Sequence, residues 1–133
     1  MVLPEKENAE SALRIEPFDG TVTVRFWDAV IASTDQAKIL RQAGKEPAFY
    51  IPFDRIYFDF LQKTDHRENM PGLGEVAFWR VSAMNRAAED FMWALESPDI
   101  PLLALAHHGS FDRKIARIEA VPAGGGAEGA VEM

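Results

Sequence analysis

The chain has 133 residues, no cysteine and a formal net charge of −7, and 47% of its residues are hydrophobic. This length suits one domain with a core, and the lack of cysteine excludes disulfides, thiol nucleophiles and cysteine-built metal sites. No apolar run approaches the roughly 18 residues of a membrane span, and the basic cluster at 113–117 is too small for general nucleic-acid binding. Residues 1–10 are polar and acidic, unlike a signal peptide, so we expect a cytoplasmic protein that contacts neither membrane nor nucleic acid.

Composition shifts near both ends predict three parts. Residues 1–16 are expected to be a mobile N-terminal arm, and residues 122–133 a disordered, Gly-rich acidic tail with few side chains able to bury area. Residues 17–121 are then expected to form a single β-rich domain.

The first half of this domain alternates strand and turn signals. Apolar and polar residues alternate over 21–26, which predicts a half-buried strand, and a hairpin turn is expected at 27–30. Residues 35–43 favour a helix that ends at Gly44, and 47–51 favour a further strand that Pro52 closes.

The second half contains the most regular alternation. Residues 55–61 predict a strand, and the polar run 62–69 predicts a loop that ends in the chain-breaking segment 70–74. Residues 75–81 return to strand character, whereas 82–95 have the propensity and apolar spacing of a helix.

Near the C-terminus, Ser97 and Pro98 suit a helix start, Gly109 suits a helix stop, and 111–121 suggest a final strand. The short connections favour antiparallel pairing. The predicted fold class is therefore mainly β (α+β), with at least five strands and one to three short helices.

The segment Thr64-Asp65-His66-Arg67 concentrates a carboxylate, an imidazole and a guanidinium between two predicted strands. An adjacent acid can fix the tautomer of a histidine, and an arginine can bind a carboxylate or phosphate through two hydrogen bonds. The structural alternative is that Thr64 and Asp65 cap the turn through their side chains, while His66 and Arg67 are solvated or brace the loop.

Metal and cofactor signals are weak. His107 and His108 are adjacent, and neighbouring residues on a helix point about 100° apart, so we expect no metal site. Gly72-Leu73-Gly74 matches no standard nucleotide-binding loop and suits a turn, so no cofactor is expected.

Several ordered motifs resemble the signature of a bacterial and plant family, domain of unknown function 427. The similar segments are Phe49-Tyr50-Ile51-Pro52, Thr64-Asp65-His66-Arg67, Met70-Pro71, Gly74 to Trp79 and Trp93 to Pro98. They span roughly residues 20 to 120. The matching signature positions are Asp65, His66, Pro71, Gly74, Ala77 and Trp79.

The resemblance implies a strongly bent antiparallel sheet similar to a β-tent, and it implies that 88–93 are extended rather than helical. The family carries a nucleotidyltransferase label with no established activity behind it. Met70 and Leu73 stand where the signature has Cys and Lys. If those two groups serve chemistry in relatives, this chain lacks it; if they serve packing, methionine fills an apolar gap readily.

The leading hypothesis is a binding module for a small polar or anionic ligand, because clustered polar groups beside aromatic residues are typical of ligand pockets. The candidate ligand-binding residues are Asp65, His66, Arg67, Glu75, Trp79 and Trp93. One alternative is an enzyme in which His66 acts as acid or base and Asp65 orients it. Another is a structural protein or a homodimer joined through exposed aromatic sheet surface.

Overall fold

Antiparallel strands account for most of residues 13–124 and 131–132, which are the residues described by the computed structural model. The strands are β1 (Leu13–Pro17), β2 (Gly20–Phe26), β3 (Ala29–Thr34), β4 (Lys38–Gln42), β5 (Ala48–Pro52), β6 (Leu61–Met70), β7 (Gly74–Ala83), β8 (Arg86–Leu95), β9 (His108–Phe111), β10 (Arg117–Pro122) and β11 (Val131–Glu132). Short 3₁₀ segments lie at Phe53–Arg55, Phe58–Phe60 and Ile100–Leu105. The mainly β prediction is confirmed.

The strands form two sheets. Seven of them follow the order β1-β4-β5-β9-β8-β7-β6, and four follow the order β11-β10-β2-β3. In β2, buried residues alternate with more exposed ones, as the sequence pattern over 21–26 predicts. A bridge between Ala32 and Ile56 joins β3 to the segment after β5.

Two apolar clusters fill the interior. The first is centred on the four-stranded sheet and includes Val24, Ile31 and Phe91, which are fully buried. The second lies around Tyr50 and Phe78 and includes the buried residues of the Ile100–Leu105 segment. Strand β7 contributes to both clusters, because successive side chains of a strand point to opposite faces of the sheet.

Several further expectations are confirmed. Strands lie at the positions predicted for 47–51 and 75–81, and a hairpin turn separates β2 from β3. Residues 88–93 are extended within β8, as the resemblance implies and propensity does not. Within residues 13–124, no helix is long and apolar enough to cross a membrane.

The helices predicted over 35–43 and 82–95 are wrong. The first region contains β4, which pairs with β1 and β5, and the second is the β7–β8 hairpin. Met84 and Asn85 form the turn of this hairpin with φ of 58° and 60°. Sheet pairing on both sides therefore overrides intrinsic helix propensity, which contributes only a few tenths of a kcal/mol per residue.

The strand predicted over 55–61 is also wrong. Two 3₁₀ turns occupy this region, closed by bonds from Ile56 N–H to Phe53 O (3.1 Å) and from Phe60 N–H to Tyr57 O (3.2 Å). Phe53 and Phe58 pack edge to face at 5.3 Å against the first cluster. The aromatic residues of this region have the spacing of one face of a strand, but they pack against the core from 3₁₀ turns instead.

The polar run 62–69 is not a loop but most of β6, and the final predicted strand 111–121 is divided between β9 and β10. The helix expected between 97 and 109 is confined to the short 3₁₀ segment before β9. The predicted arm 1–16 and tail 122–133 lie largely outside the described residues. Of these regions, 13–16 belong to β1 and 131–132 pair with β10.

Gly20 offers a test of the packing between β2 and β10. A Cβ atom at this position would meet the carbonyl oxygen of Val121 and would lie 2.8 Å from the Cα of Pro122. We expect Gly20→Ala to lower the free energy of unfolding by about 2–4 kcal/mol, because these neighbours are backbone atoms that cannot rotate away. Denaturant unfolding measures the change.

Gly44→Ala is the control. Gly44 has a φ of 79° but open space around its Cα, so its replacement should cost only the conformational strain of about 1 kcal/mol. Equal losses in the two variants would contradict the steric explanation at Gly20.

Candidate functional site

The predicted motif at residues 64–66 forms a bulge in β6. Lys63 pairs with Trp79 and Arg67 with Ala77, so Thr64, Asp65 and His66 lie opposite the single residue Phe78. The Thr64 hydroxyl donates to the Phe78 carbonyl (3.2 Å) and accepts from the His66 N–H (3.2 Å). The threonine thus closes the bulge by side-chain to backbone bonds, as the structural alternative proposes.

A second bulge lies on the other side of β7. Trp79 pairs with Met92 and Val81 with Ala88, so residues 89–91 lie opposite Arg80. Asp90 has a φ of 55° in this bulge, a left-handed conformation that Asp and Asn tolerate better than most residues.

His66 spans β7 between the two bulges. Its ring stacks on Phe78 at a centroid distance of 4.3 Å and an angle of 14°. Its Nδ1 lies 2.9 Å from Oδ1 of Asp90, and its Nε2 lies 2.9 Å from Oε2 of Glu68. The hydrogen bond to Asp90, followed by the charges of Asp90 and Glu68, raises the pKa of His66 above its ordinary value.

Arg67 is also engaged within the fold. It donates from Nη1 to the carbonyl oxygens of Thr64 (2.8 Å) and His66 (2.9 Å), and its Nε lies 2.8 Å from Oε2 of Glu96. Lys63 reaches the same carboxylate at 3.6 Å. These contacts tie the first bulge to the end of β8.

Asp65 and Glu75 are exposed, and their carboxylates have no hydrogen-bond or ion-pair partner within residues 13–124. Glu75 shares a shallow polar cleft of about 310 Å³ with Arg67, Glu68 and Asn69. The structure therefore brings Arg67 and Glu75 together there.

The two candidate tryptophans lie on opposite faces of the sheet. Trp93 pairs with Phe78, and paired residues share a face, whereas Trp79 follows Phe78 and faces the other way. Trp79 packs against Phe53 and Phe58 at ring distances of 6.2 and 6.4 Å. Trp93 borders a different space.

That space, the aromatic pocket, has a volume of about 720 Å³. Three connections surround it: the β4–β5 loop, the β6–β7 turn and the β9–β10 loop. Its apolar lining includes Leu40, Tyr50, Met70, Leu73, Trp93 and Phe111. Trp93 Nε1–H donates to the Tyr50 hydroxyl (3.3 Å), and burial raises the pKa of Tyr50 despite this bond.

The rim of the aromatic pocket is charged. Lys45 and Lys114 have no ion-pair partner for their ammonium groups within residues 13–124, whereas Arg113 is paired with Glu46. Asp112 accepts the backbone N–H of Lys114 at 2.9 Å, which fixes the loop. Among the residues that line the pocket, the ammonium groups of Lys45 and Lys114 and the carboxylate of Asp112 thus have no ion pair within residues 13–124, and the ammonium groups outnumber the carboxylate.

Sequence reasoning missed Asp90, Glu68 and Glu96 as the partners of His66 and Arg67, and it missed the pocket formed around Tyr50. The Tyr50-Ile51-Pro52 segment carried a signal, since it is part of the family resemblance. Asp90 carried none, because propensity places it in a helix. In the described part of the chain, no group of three His, Cys, Asp or Glu residues is arranged to hold a metal ion.

Two antiparallel sheets, a histidine held between two bulges and a separate aromatic pocket characterise the chain. The chain belongs to the family described as domain of unknown function (DUF427), whose match covers residues 14–122. This confirms the resemblance found in the sequence. No curated protein sequence matches the chain.

The titration of His66 tests the contacts across β7. We expect Asp90→Asn to lower the pKa of His66 more than Glu68→Gln does, because the hydrogen bond to Asp90 is the largest cause of its raised value. Asparagine tolerates the left-handed backbone of Asp90, so the bulge should persist. NMR titration of the ring carbons measures both shifts, and a larger effect of Glu68→Gln would contradict the assignment.

The same raised pKa predicts how stability depends on pH. A group whose pKa is higher in the folded state stabilises the protein fully below its unfolded value, here 6.5, and loses that contribution as the pH rises through the folded value. We therefore expect the difference in unfolding free energy between the wild type and His66→Gln to shrink as the pH rises above 6.5. Urea unfolding at a series of pH values measures it, and a pH-independent difference would refute the linkage.

Proposed function

We propose that the protein is a binding domain for a small amphiphilic anion and that the ligand occupies the aromatic pocket. The observation that carries this proposal is the combination of a concave apolar space with unpaired lysines at its rim. Ligand sites are typically apolar cavities of 300–1,000 Å³ with a few placed polar groups, and the volume of about 720 Å³ falls in that range.

The lining suggests how such a ligand would be held. The indole ring of Trp93, which is half-buried at the pocket, would contact an apolar or aromatic body. Tyr50 is only 1% exposed and its hydroxyl accepts from Trp93, so it holds the indole in place from behind. Lys45 and Lys114 would attract a carboxylate or phosphate group.

The two departures from the family signature support the same location. Met70 and Leu73 both line the aromatic pocket, and both pack with its apolar cluster. The positions at which the signature has Cys and Lys are thus brought to this pocket. In this chain their side chains supply apolar contact, which favours binding over chemistry at those positions.

The Asp65–Arg67 segment is assigned a structural role in this proposal. The ring nitrogens of His66 contact carboxylates and Arg67 bonds to backbone oxygens of its own bulge, so neither is poised to bind a ligand or transfer a proton. Of the six candidate ligand-binding residues, the proposal retains Trp93.

The experiment compares 2-naphthoate with its neutral analogue 2-naphthamide, using calorimetry on the full chain. We expect 2-naphthoate to bind more tightly. Trp93→Ala should weaken its binding at least about tenfold, because buried aromatic residues dominate binding energy. Lys45→Met and Lys114→Met should each weaken it by about three- to fivefold, as expected for exposed charge pairs.

Two controls separate this pocket from the β6 bulge. Lys63→Met removes an exposed lysine outside the pocket and should leave the affinity unchanged. Arg67→Ala should lower stability but leave binding intact. Loss of binding in Arg67→Ala with full binding in Trp93→Ala would place the ligand at the bulge and overturn the assignment to the aromatic pocket.

A further inference from the structure

A second cleft lies away from the aromatic pocket, between the β1–β2 and β3–β4 turns. Its volume is about 710 Å³, and we call it the acceptor cleft. It is lined by Pro17, Phe18, Asp19, Asp35, Gln36, Ala37, Lys38, Pro52 and His108. None of the residues that line the aromatic pocket is among them.

His108 lines this cleft, and one of its two ring nitrogens, Nε2, has no partner among the described residues. Only 9% of the surface of His108 is exposed, and its Nδ1 lies 2.8 Å from the carbonyl oxygen of Ala106. Because a carbonyl only accepts, Nδ1 carries the hydrogen and Nε2 of the neutral ring keeps a lone pair. Nε2 has no hydrogen-bond or ion-pair partner within residues 13–124.

The surroundings keep this ring neutral. Burial is the largest cause of the lowered pKa of His108, and the charges of Lys38 and His107 act in the same direction. The bond to Ala106 and the charge of Asp54 act against it. At neutral pH the ring therefore offers an acceptor rather than a positive charge.

Two carboxylates add to the acceptors of the cleft. Asp19 and Asp35 are exposed, and their carboxylates have no hydrogen-bond or ion-pair partner within residues 13–124. Both also border an adjoining cleft of about 490 Å³. The ammonium group of Lys38 is held by the Ala104 carbonyl oxygen at 2.9 Å.

We propose that the acceptor cleft binds a small cation with several N–H donors, such as a guanidinium group. One N–H of the ligand donates to Nε2 of His108, and its charge is balanced by Asp19 and Asp35. This ligand is opposite in charge to the one proposed for the aromatic pocket. The site does not depend on that first proposal.

The test uses butylguanidinium as the probe and butylurea, which has the same shape without the charge, as its control. With histidine labelled in ¹⁵N, we expect butylguanidinium to shift the Nε2 resonance of His108 away from the position of an unprotonated acceptor nitrogen. Butylurea should bind at least about tenfold more weakly, as measured by the concentration at which the same shift is half complete. A free-state spectrum with the hydrogen on Nε2 would overturn the proposal. So would the absence of a probe-dependent shift at His108.

Variants locate the charge contribution. Asp19→Asn combined with Asp35→Asn should weaken binding of butylguanidinium by about tenfold, because each exposed charge pair strengthens binding by about threefold and the two factors multiply. Asp28→Asn removes an equally exposed turn carboxylate outside the cleft and should change nothing. Equal weakening in both variants would show a general charge effect and overturn the site, and no variant of buried His108 is needed.

Discussion

Strand β7 pairs on both sides only because each neighbouring strand accommodates two residues that have no partner in it. The two bulges are formed by Thr64 to His66 on β6 and by Glu89 to Phe91 on β8. They lie on opposite sides of β7, opposite Phe78 and Arg80. His66 joins them over the ring of Phe78. Bulges increase local twist and bend a strand. This linked pair lies on the strand that contributes side chains to both apolar clusters.

Strands were predicted correctly where hydrophobic and polar residues alternate along the chain and the hydrophobic side chains are buried. Strand β2 is an example, since Val22, Val24 and Phe26 are all buried in the first cluster. Prediction failed where tertiary pairing decides the conformation. Nothing local in residues 82–95 distinguishes a helix from a hairpin, whereas the register with β7 and β9 does.

The candidate site, like the fold, could be predicted only in part. The motif around His66 was visible because its residue types are unusual together, but its role depends on Asp90, which is distant in sequence and held in a left-handed conformation. The aromatic pocket depends on three connections that are far apart along the chain, so only its Tyr50 and Trp93 segments had a signature of their own. Lys45 and Lys114 indicate a site for an anion only because the fold brings both of them to the rim of the same pocket.

Strand β6 also forms one outer edge of the seven-stranded sheet, and its composition limits what can associate there. An open edge offers unpaired backbone groups to any other extended chain, and natural proteins block such edges with charges and bulges. Here Lys63, Asp65, Arg67 and Glu68 lie along the strand, and the bulge interrupts its regular backbone. The segment that first attracted attention as a source of chemistry thus also gives this edge the charges and the bulge that are typical of edges that do not pair with another strand.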